Sequence, residues 1–276
     1  MQMAELERAR LVPRVDEVVS NALVDDSWMS SEERGVFDAA LAMIPTLRDR
    51  AEQCQRDCRV PSETIDEFHR AKLTRIVQPK RYGGLGGTTL FMSRVVEELA
   101  MGCASSAWVL SVFGEHAWIL ASFPEAAQQE IWGENPLAVA ASSLAPRAVA
   151  KAVPGGYRLT GTYPFASGCH HAPWLIIGAW VEQGGRRDLH YLLVRTEEVK
   201  ILEDWQSLGL RGTGSDTFEV TDLFVPEEET IDRENPAELR EQGTLYKFSA
   251  SLAYGGGFGG LMLGIARGAL DDLRQL

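Results

Sequence analysis

A short segment, Phe165 to Ala172, concentrates residue types that can do chemistry on a bound ring. It reads Phe-Ala-Ser-Gly-Cys-His-His-Ala. The hydroxyl of Ser167 is both a hydrogen-bond donor and an acceptor, and Gly168 has no side chain to hold a planar ligand away from the backbone. The pair therefore suits close contact with a flat ring, although a β-turn with a solvated serine uses the same residue types.

A second candidate is a loop with three glycines around Arg211. The backbone N–H groups of such a loop, together with the side chains of Arg211, Thr213 and Ser215, can hold a phosphate or a pyrophosphate. The simpler interpretation is that Arg211 pairs on the surface with an acid such as Asp216 or Asp222. The sequence leaves both interpretations open.

Other common motifs are not found in the sequence. It has no Gly-Lys-Ser/Thr phosphate loop, no dinucleotide fingerprint after a first strand and no His-Glu-x-x-His helix. His170 and His171 are adjacent, so in a strand their rings point to opposite faces and do not hold one ion together. We therefore expect no metal site.

The candidate residues lie on blocks of helix and strand. Apolar residues recur at helical spacing from Ser31 to Arg75, which predicts two helices separated near Pro61, with Ser30 or Ser31 before Glu33 as a capping signal. Further helices are predicted over Thr89 to Ala100, Ser105 to Leu120, Pro124 to Gly133 and Phe248 to Leu276. The last one carries small residues that would let another element approach closely, namely Gly255, Gly256, Gly257, Gly259, Gly260 and Gly264.

Between the helical blocks the hydrophobic period changes to two, which is typical of half-buried strands. The predicted strands are Ala138 to Ser142, Tyr157 to Gly161, Trp174 to Trp180, Leu189 to Val194 and Thr217 to Val225. Gly and Pro turns separate them, so we expect the middle section to be antiparallel β.

The composition limits the possible functions. With 276 residues, 45% hydrophobic and 24% charged, the chain is typical of a globular protein with one large domain or two to three small ones. A formal net charge of -12 argues against nucleic acid or an anionic membrane as a partner. No apolar run reaches the roughly 18 to 20 residues that span a bilayer, and the first residues do not read as a signal peptide. We expect a cytoplasmic protein.

The order of helices, strands and helices resembles the acyl-CoA dehydrogenase superfamily. Within it, Phe165 to Ala172 is similar to the signature of the two-component flavin-dependent monooxygenases, where dehydrogenases usually carry a tryptophan, threonine, asparagine and glycine run. The resemblance implies an α+β, acyl-CoA dehydrogenase-like fold. Its expected parts are an extension (1–30), an N-terminal helical domain (31–136), a middle antiparallel β domain (137–234) and the first part of a C-terminal helical bundle (235–276).

The resemblance also implies residue roles around a reduced flavin, FMN or FAD. Ser167 is expected beside flavin N5, with Phe165 and Gly168 contacting the ring system. The small-residue stretch before Pro146 resembles the segment that passes the flavin's edge, where Ser142, in preference to Ser143, faces flavin or substrate. The glycine-rich loop resembles the family's loop before its final strand, and there the expected cofactor contacts are Arg211, Thr213 and Ser215.

Substrate contacts are implied on one helix. Trp108, Phe113 and His116 match the helix that lines the aromatic pocket in hydroxylases of the p-hydroxyphenylacetate type. A lone histidine on an apolar helix is as often a satisfied core residue, but the same surroundings would keep His116 neutral beside a phenol. Catalytic roles are thus expected for Ser167, His116 and Ser142.

The implied reaction is hydroxylation of a phenolic or polyketide-type ring through a C4a-hydroperoxyflavin. Because no nicotinamide motif is found, a separate flavin reductase would supply the reduced flavin. The family's phenol hydroxylases carry a histidine base late in the C-terminal helices, so the resemblance implies a C-terminally truncated member. It would form a homo-oligomer, a tetramer in the family, or use a partner chain for the missing helices. The alternatives are an acyl-CoA dehydrogenase and a non-catalytic flavin-binding or scaffolding subunit.

Overall fold

Six α-helices are found in the part of the chain that the structure, a computed structural model, describes: residues 26–183, 185–232, 235, 237, 239–241 and 243–275. Most of the predicted extension therefore lies outside the described residues. The division of the first helical segment near Pro61 is confirmed, although its two helices end earlier than predicted, at Arg56 and Arg70, and the other predicted helices are confirmed to within two residues at each end. The helices are α1 Ser31–Arg56, α2 Ser62–Arg70, α3 Thr89–Ala100, α4 Ala104–Leu120, α5 Glu125–Trp132 and α6 Ala250–Gln275.

Local chemistry explains where two of these helices begin. The hydroxyl of Ser30 accepts a hydrogen bond from the Glu33 N–H at 3.3 Å, and the Glu33 carboxylate accepts one from the Ser30 N–H at 2.9 Å, which is the predicted capping box. Thr88 caps α3 in the simpler way, through the N–H of Phe91. By contrast, α4 begins without a side-chain cap and is buried on nearly all sides, so packing rather than capping holds it.

Eight strands in the described part of the chain form one sheet. Hydrogen-bonded neighbours follow the order β6-β7-β3-β2-β4-β5-β8, and β1 pairs with β4 off this path. All five predicted strands are present, most of them longer than predicted. The strands are β1 Ala140–Ser143, β2 Val149–Val153, β3 Gly156–Ala166, β4 Trp174–Gln183, β5 Arg186–Arg195, β6 Lys200–Ile201, β7 Asp216–Pro226 and β8 Thr230–Asp232.

The sheet is mixed rather than purely antiparallel. Most pairs run antiparallel as predicted, but β1 and β2 both run parallel to β4. The two-residue period predicts that a segment is a strand and says nothing about its direction, so the parallel pairs could not be predicted from it. The strands β2, β6 and β8 were missed because β6 and β8 have only two and three residues and β2 is mostly exposed.

The last helix packs closely on α3 and α4, and its glycines permit this. A Cβ atom on Gly257 would lie 2.1 Å from Glu115 Oε1, and one on Gly264 would lie 2.0 Å from the Glu97 carbonyl oxygen. The predicted close approach is therefore confirmed for this face, whereas Gly255 and Gly259 face open space. No helix among the described residues has the length and apolar character needed to cross a membrane.

Replacing Gly264 by alanine is expected to lower the free energy of unfolding by about 1–3 kcal/mol, because the new methyl group forces α6 away from α3. The matched variant Gly259→Ala adds the same methyl group on the open side and is expected to be neutral or to stabilise by up to about 1 kcal/mol, through helix propensity. Urea unfolding of both variants measures the difference. Equal stabilities would show that the close packing of α6 is wrong.

Candidate functional site

A cleft of about 300 Å³ opens where α4, the end of β1, the end of β3 and α6 meet. That volume is at the lower end for small-molecule sites, so it suits a compact aromatic molecule. Six of the predicted site residues line it: Trp108, His116, Ser142, Ser143, Phe165 and Ser167. The other lining residues are Val112, Leu144, Ala145, Arg147, Pro164, Tyr254 and Phe258.

One face of α4 forms a wall of the cleft. Trp108, Val112 and His116 follow each other at four-residue spacing, which places them on the same side of a helix. By the 100° rotation per residue, Phe113 lies about 100° around the helix from Val112 and about 60° from His116, at the border of this face. It is only 1% exposed and packs beneath the turn at Gly168, where a Cβ would lie 2.9 Å from its ring. The structure therefore places Phe113, which was predicted to contact the substrate, in the core and outside the cleft lining.

The end of β3 and the turn that follows it have unusual backbone geometry. Phe165 has a φ of 67° and Gly168 a φ of 74°, and a bulky residue in the left-handed region is rare. The side chain of Phe165 is 64% exposed, with its ring edge-on to Trp205 at 6.0 Å between centroids. The turn therefore holds a large aromatic face at the edge of the cleft, which suits a planar ligand.

A chain of hydrogen bonds runs inward from the cleft through hydroxyl groups. Trp108 Nε1 donates to Ser167 Oγ at 2.9 Å. Ser167 Oγ lies 2.7 Å from Ser215 Oγ, which in turn lies 2.6 Å from Thr213 Oγ1. Thr213 donates to the carbonyl oxygen of Leu210 at 2.9 Å. The side chains of Thr213 and Ser215 are buried, and their hydroxyls are used in this series of hydrogen bonds. Their hydroxyls are therefore turned away from the cleft.

The proton positions in this chain follow from its inner end. A carbonyl oxygen only accepts, so Thr213 uses its single proton on Leu210 and must accept from Ser215. Ser215 then has no proton left for Ser167, so Ser167 donates to Ser215. Ser167 Oγ also accepts from Trp108, which leaves one lone pair. Toward a ligand, Ser167 therefore acts as a hydrogen-bond acceptor.

A second ordered pair, His116 and Ser142, lies in the same cleft. The Nδ1 atom of His116 is 2.6 Å from the carbonyl oxygen of Ala140, so this nitrogen carries the proton. Burial lowers the pKa of His116 to about 4, which keeps the ring neutral and leaves Nε2 as an acceptor. Ser142 Oγ, 2.8 Å from Nε2, must then donate to it. The lone pairs of Ser142 remain to accept from a ligand hydroxyl.

The lowered pKa of His116 has a consequence for stability. A histidine that is neutral in the fold but has a pKa near 6.5 when unfolded stabilises the protein above that pH, and this contribution is lost as the pH falls toward 4. Between about pH 7.5 and pH 5 the loss should be about 2 kcal/mol. Urea unfolding at both pH values measures it, and His116→Gln should reduce the pH dependence by that amount. An unchanged dependence in the variant would contradict the assignment.

Arg211 lies away from the cleft. Its side chain is exposed and its Nε donates to the sulfur of Cys58 at 3.2 Å. The alternative ion pair with Asp216 or Asp222 is not formed, because Asp222 pairs with Arg158 and Asp216 hydrogen-bonds to His170. Its predicted role as a cofactor contact therefore gains no support from its position.

Three possible metal ligands lie close together beside the turn. One donor atom each of Cys169, His170 and Asp216 lies within 4.8 Å of the others, whereas His171 points to a backbone carbonyl 2.8 Å away. The two histidines thus diverge, although they lie in a 3-10 helix, Cys169–His171, and not in the strand that the prediction assumed. A guanidinium nitrogen of Arg59 lies 3.2 Å from His170 Nε2, and burial raises the pKa of the Cys169 thiol to about 12. Both features oppose a cation there.

Two aromatic residues of the cleft were missed in the sequence. Phe258 stacks on Trp108 with 4.9 Å between ring centroids and an angle of 10°, and Tyr254 lies 6.2 Å from the ring of His116. They are four residues apart on α6 and so share one face. That spacing was visible in the sequence, but the packing partner of the face was not.

Comparisons with known proteins identify the family. The family described as "Acyl-CoA dehydrogenase, N-terminal domain" matches residues 30–136. The oxygenase subunit HsaA of a flavin-dependent monooxygenase from Rhodococcus jostii is 32% identical over 83% of this chain and 62% of its own length. The oxygenase component of an FADH2-dependent resorcinol hydroxylase from a Rhizobium species is 38% identical over 67% of this chain and 46% of its own length.

A solved structure supports the same assignment. The HsaA monooxygenase from Mycobacterium tuberculosis superposes with a TM-score of 0.82 at 33% identity, over 87% of this chain and 68% of that one. The chain spans less than two thirds of the length of the two curated relatives above. The fold and sequence agree with the resemblance carried by Phe165 to Ala172. The chain belongs to the flavin-dependent monooxygenase oxygenase components that have the acyl-CoA dehydrogenase fold.

Proposed function

We propose that this protein is the oxygenase component of a two-component system that hydroxylates a phenolic ring with reduced flavin from a separate reductase. The observation that carries the proposal is that one cleft contains both an ordered acceptor, Ser167, and an ordered pair that can bind a phenol, Ser142 and His116. The relatives' names, an oxygenase subunit and a resorcinol hydroxylase component, support it.

Ser167 fits a reduced flavin, because the N5 position of that ring system carries an N–H. The remaining lone pair of Ser167 Oγ can accept from this donor, while Phe165 offers an aromatic face beside it. Gly168 keeps the turn close to α4. When bound, the flavin would supply the electrons that activate molecular oxygen. These residues would hold its ring at the cleft and do not distinguish FMN from FAD.

The Ser142 and His116 pair fits a phenolic hydroxyl group. The phenol would donate to Ser142 Oγ, whose own proton is directed to His116 Nε2 at 2.8 Å. As the ring attacks an electrophilic oxygen, positive charge develops on the phenolic oxygen and its proton becomes strongly acidic, so the proton can then pass through Ser142 to His116 even though burial has lowered the pKa of that histidine. The protonated imidazole would keep both of its N–H groups bonded, to Ala140 and to Ser142.

The rest of the cleft lining would exclude water. The stacked rings of Trp108 and Phe258, with Val112, Leu144 and Pro164, present mostly apolar surface. Excluding water protects reactive oxygen species from forming hydrogen peroxide instead of product.

The predicted oligomer, or a partner chain, stays a prediction. The exposed apolar side chains on α6 are the surface it would use, chiefly Leu252, Met262, Leu263, Leu270 and Leu273.

The test supplies chemically reduced FMN or FAD, ¹⁸O₂ and resorcinol to the purified protein. We expect a product that contains one ¹⁸O atom, and the same mixture without protein is the control. Flavin binding without labelled product would support the non-catalytic subunit instead. Anaerobic reduction of a dye by an acyl-CoA would support the dehydrogenase, although no carboxylate is found among the described residues that line the cleft.

A further inference from the structure

Arg147 is the charged side chain of the cleft. Among the described lining residues there is no aspartate, glutamate or lysine, and the pKa of His116 is lowered to about 4, so its ring is neutral. The fixed charge at the cleft is therefore positive. The protein as a whole carries a net charge of -12, which repels anions from most of its surface.

The backbone explains why Arg147 reaches the cleft. Ser143 of β1 is paired with Ile177 of β4, and Val149 of β2 is paired with Trp180. Five residues thus lie between Ser143 and Val149, whereas only two residues of β4 lie between their partners. The extra residues bulge out of the sheet, and Leu144 begins the bulge directly over Gly178, where a Cβ would lie 1.9 Å from the Leu144 carbonyl oxygen. Arg147 lies on this bulge and lines the cleft.

Arg147 has no intramolecular partner among the described residues. Every other arginine in that part of the chain has a hydrogen bond or an ion pair, for example Arg158 with Asp222 and Arg195 with Glu130. The guanidinium group of Arg147 is exposed and keeps all five of its donors for a ligand. Its planar fork matches the two oxygens of a carboxylate or a phosphate.

We propose that Arg147 binds an anionic oxygen group, a carboxylate or a phosphate, on the small molecule that occupies the cleft. This inference rests on the proposed function and narrows its ligand class. Ser142 would hold the hydroxyl end of the molecule and Arg147 its anionic end, with the ring between them against Trp108. The anion belongs either to the phenolic substrate or to the flavin, and these two sources can be separated by experiment.

The experiment measures dissociation constants by quenching of tryptophan fluorescence with two matched pairs of ligands. One pair is 3-(4-hydroxyphenyl)propionate and its neutral amide, and the other is FMN and riboflavin. Wild-type protein should bind the anionic member of one pair about ten-fold more tightly, which is the effect of one charge-assisted hydrogen-bonded pair. Arg147→Gln should remove this preference, and Arg147→Lys should keep part of it. Lys151→Gln removes the same charge from an exposed residue outside the cleft lining and should change nothing.

The outcomes separate the two claims. If wild-type protein prefers the propionate and Arg147→Gln removes this preference, the anion belongs to the substrate. If it prefers FMN and Arg147→Gln removes that preference, the anion is the flavin phosphate. No preference in either pair, or one that survives Arg147→Gln, overturns the inference while leaving hydroxylation of resorcinol untouched. A preference that depends on Arg147, in a protein that forms no labelled product, supports the inference and overturns the proposed function.

Discussion

Replacing Ser167 by alanine is expected to lower the hydroxylated product formed per reduced flavin consumed by about 10- to 100-fold, the effect of losing one hydrogen bond of about 1–3 kcal/mol. Within the chain of hydroxyl groups, Ser167 Oγ keeps one free lone pair that can accept from a ligand. No neighbouring group of the chain can accept in its place. The variant also takes the acceptor from Trp108 Nε1, which loosens the wall of the cleft. Oxygen would then leave mainly as hydrogen peroxide, which is measured alongside the product.

Two further variants locate the effect. Ser215→Ala removes the acceptor for the Ser167 proton, so Ser167 can turn and donate, and its effect should be smaller than that of Ser167→Ala. Ser207→Ala removes an exposed hydroxyl that bonds only within its own loop, and product formation should be unchanged. Thermal unfolding of each variant shows whether the fold is kept. Unchanged product formation in folded Ser167→Ala would remove the support for a flavin contact at this position.

The helical part of the site shows which residue positions sequence periodicity can predict and which it cannot. Trp108 and His116 were predicted together and do share a face of α4. Phe113 was predicted with them, and it lies three residues before His116, a neighbouring position on the helix surface, but its ring fills the space under Gly168. The helical period alone does not separate Phe113 from the other two residues. The packing of the turn at Gly168 against α4 does.

Other parts of the site depend on contacts that no local pattern encodes. Tyr254 and Phe258 reach the cleft because α6 packs on α4 from more than a hundred positions along the chain. Arg147 lines it because two strands that are consecutive in the sequence pair with one strand and leave a bulge between them. Pairing partners are set by tertiary packing and not by the period of either strand. The predicted domain boundaries stay predictions for the same reason.

The orientation of hydrogen bonds also came only from the structure. The sequence offered His116, Ser142 and Ser167 as polar groups that could each donate or accept. Their roles became definite because backbone carbonyls, which accept only, end both networks at Ala140 and Leu210. Each network thereby directs lone pairs into the cleft. This shared property is the physical reason for treating the two networks as one site.

Replacing His116 by glutamine is expected to lower the rate of phenol hydroxylation by about 100-fold, the lower end of the usual contribution of a positioned proton acceptor. The glutamine carbonyl can still accept from Ser142, so the hydrogen bond is kept while proton uptake is lost. His116→Asn is the matched variant, because its shorter amide can reach toward the Ala140 carbonyl but leaves Ser142 without an acceptor. Oxidation of the reduced flavin by oxygen should continue in both variants.

The acidity of the substrate distinguishes proton transfer from simple positioning. A fluorinated phenol that is already ionised at the assay pH does not need a proton acceptor, so His116→Gln should lose much less activity with it than with the parent phenol. His116→Asn should lose activity with both, because Ser142 is no longer oriented. If both phenols lose the same factor in His116→Gln, His116 acts through packing alone. The Ser142 hydroxyl would then bind the phenol without a route for its proton.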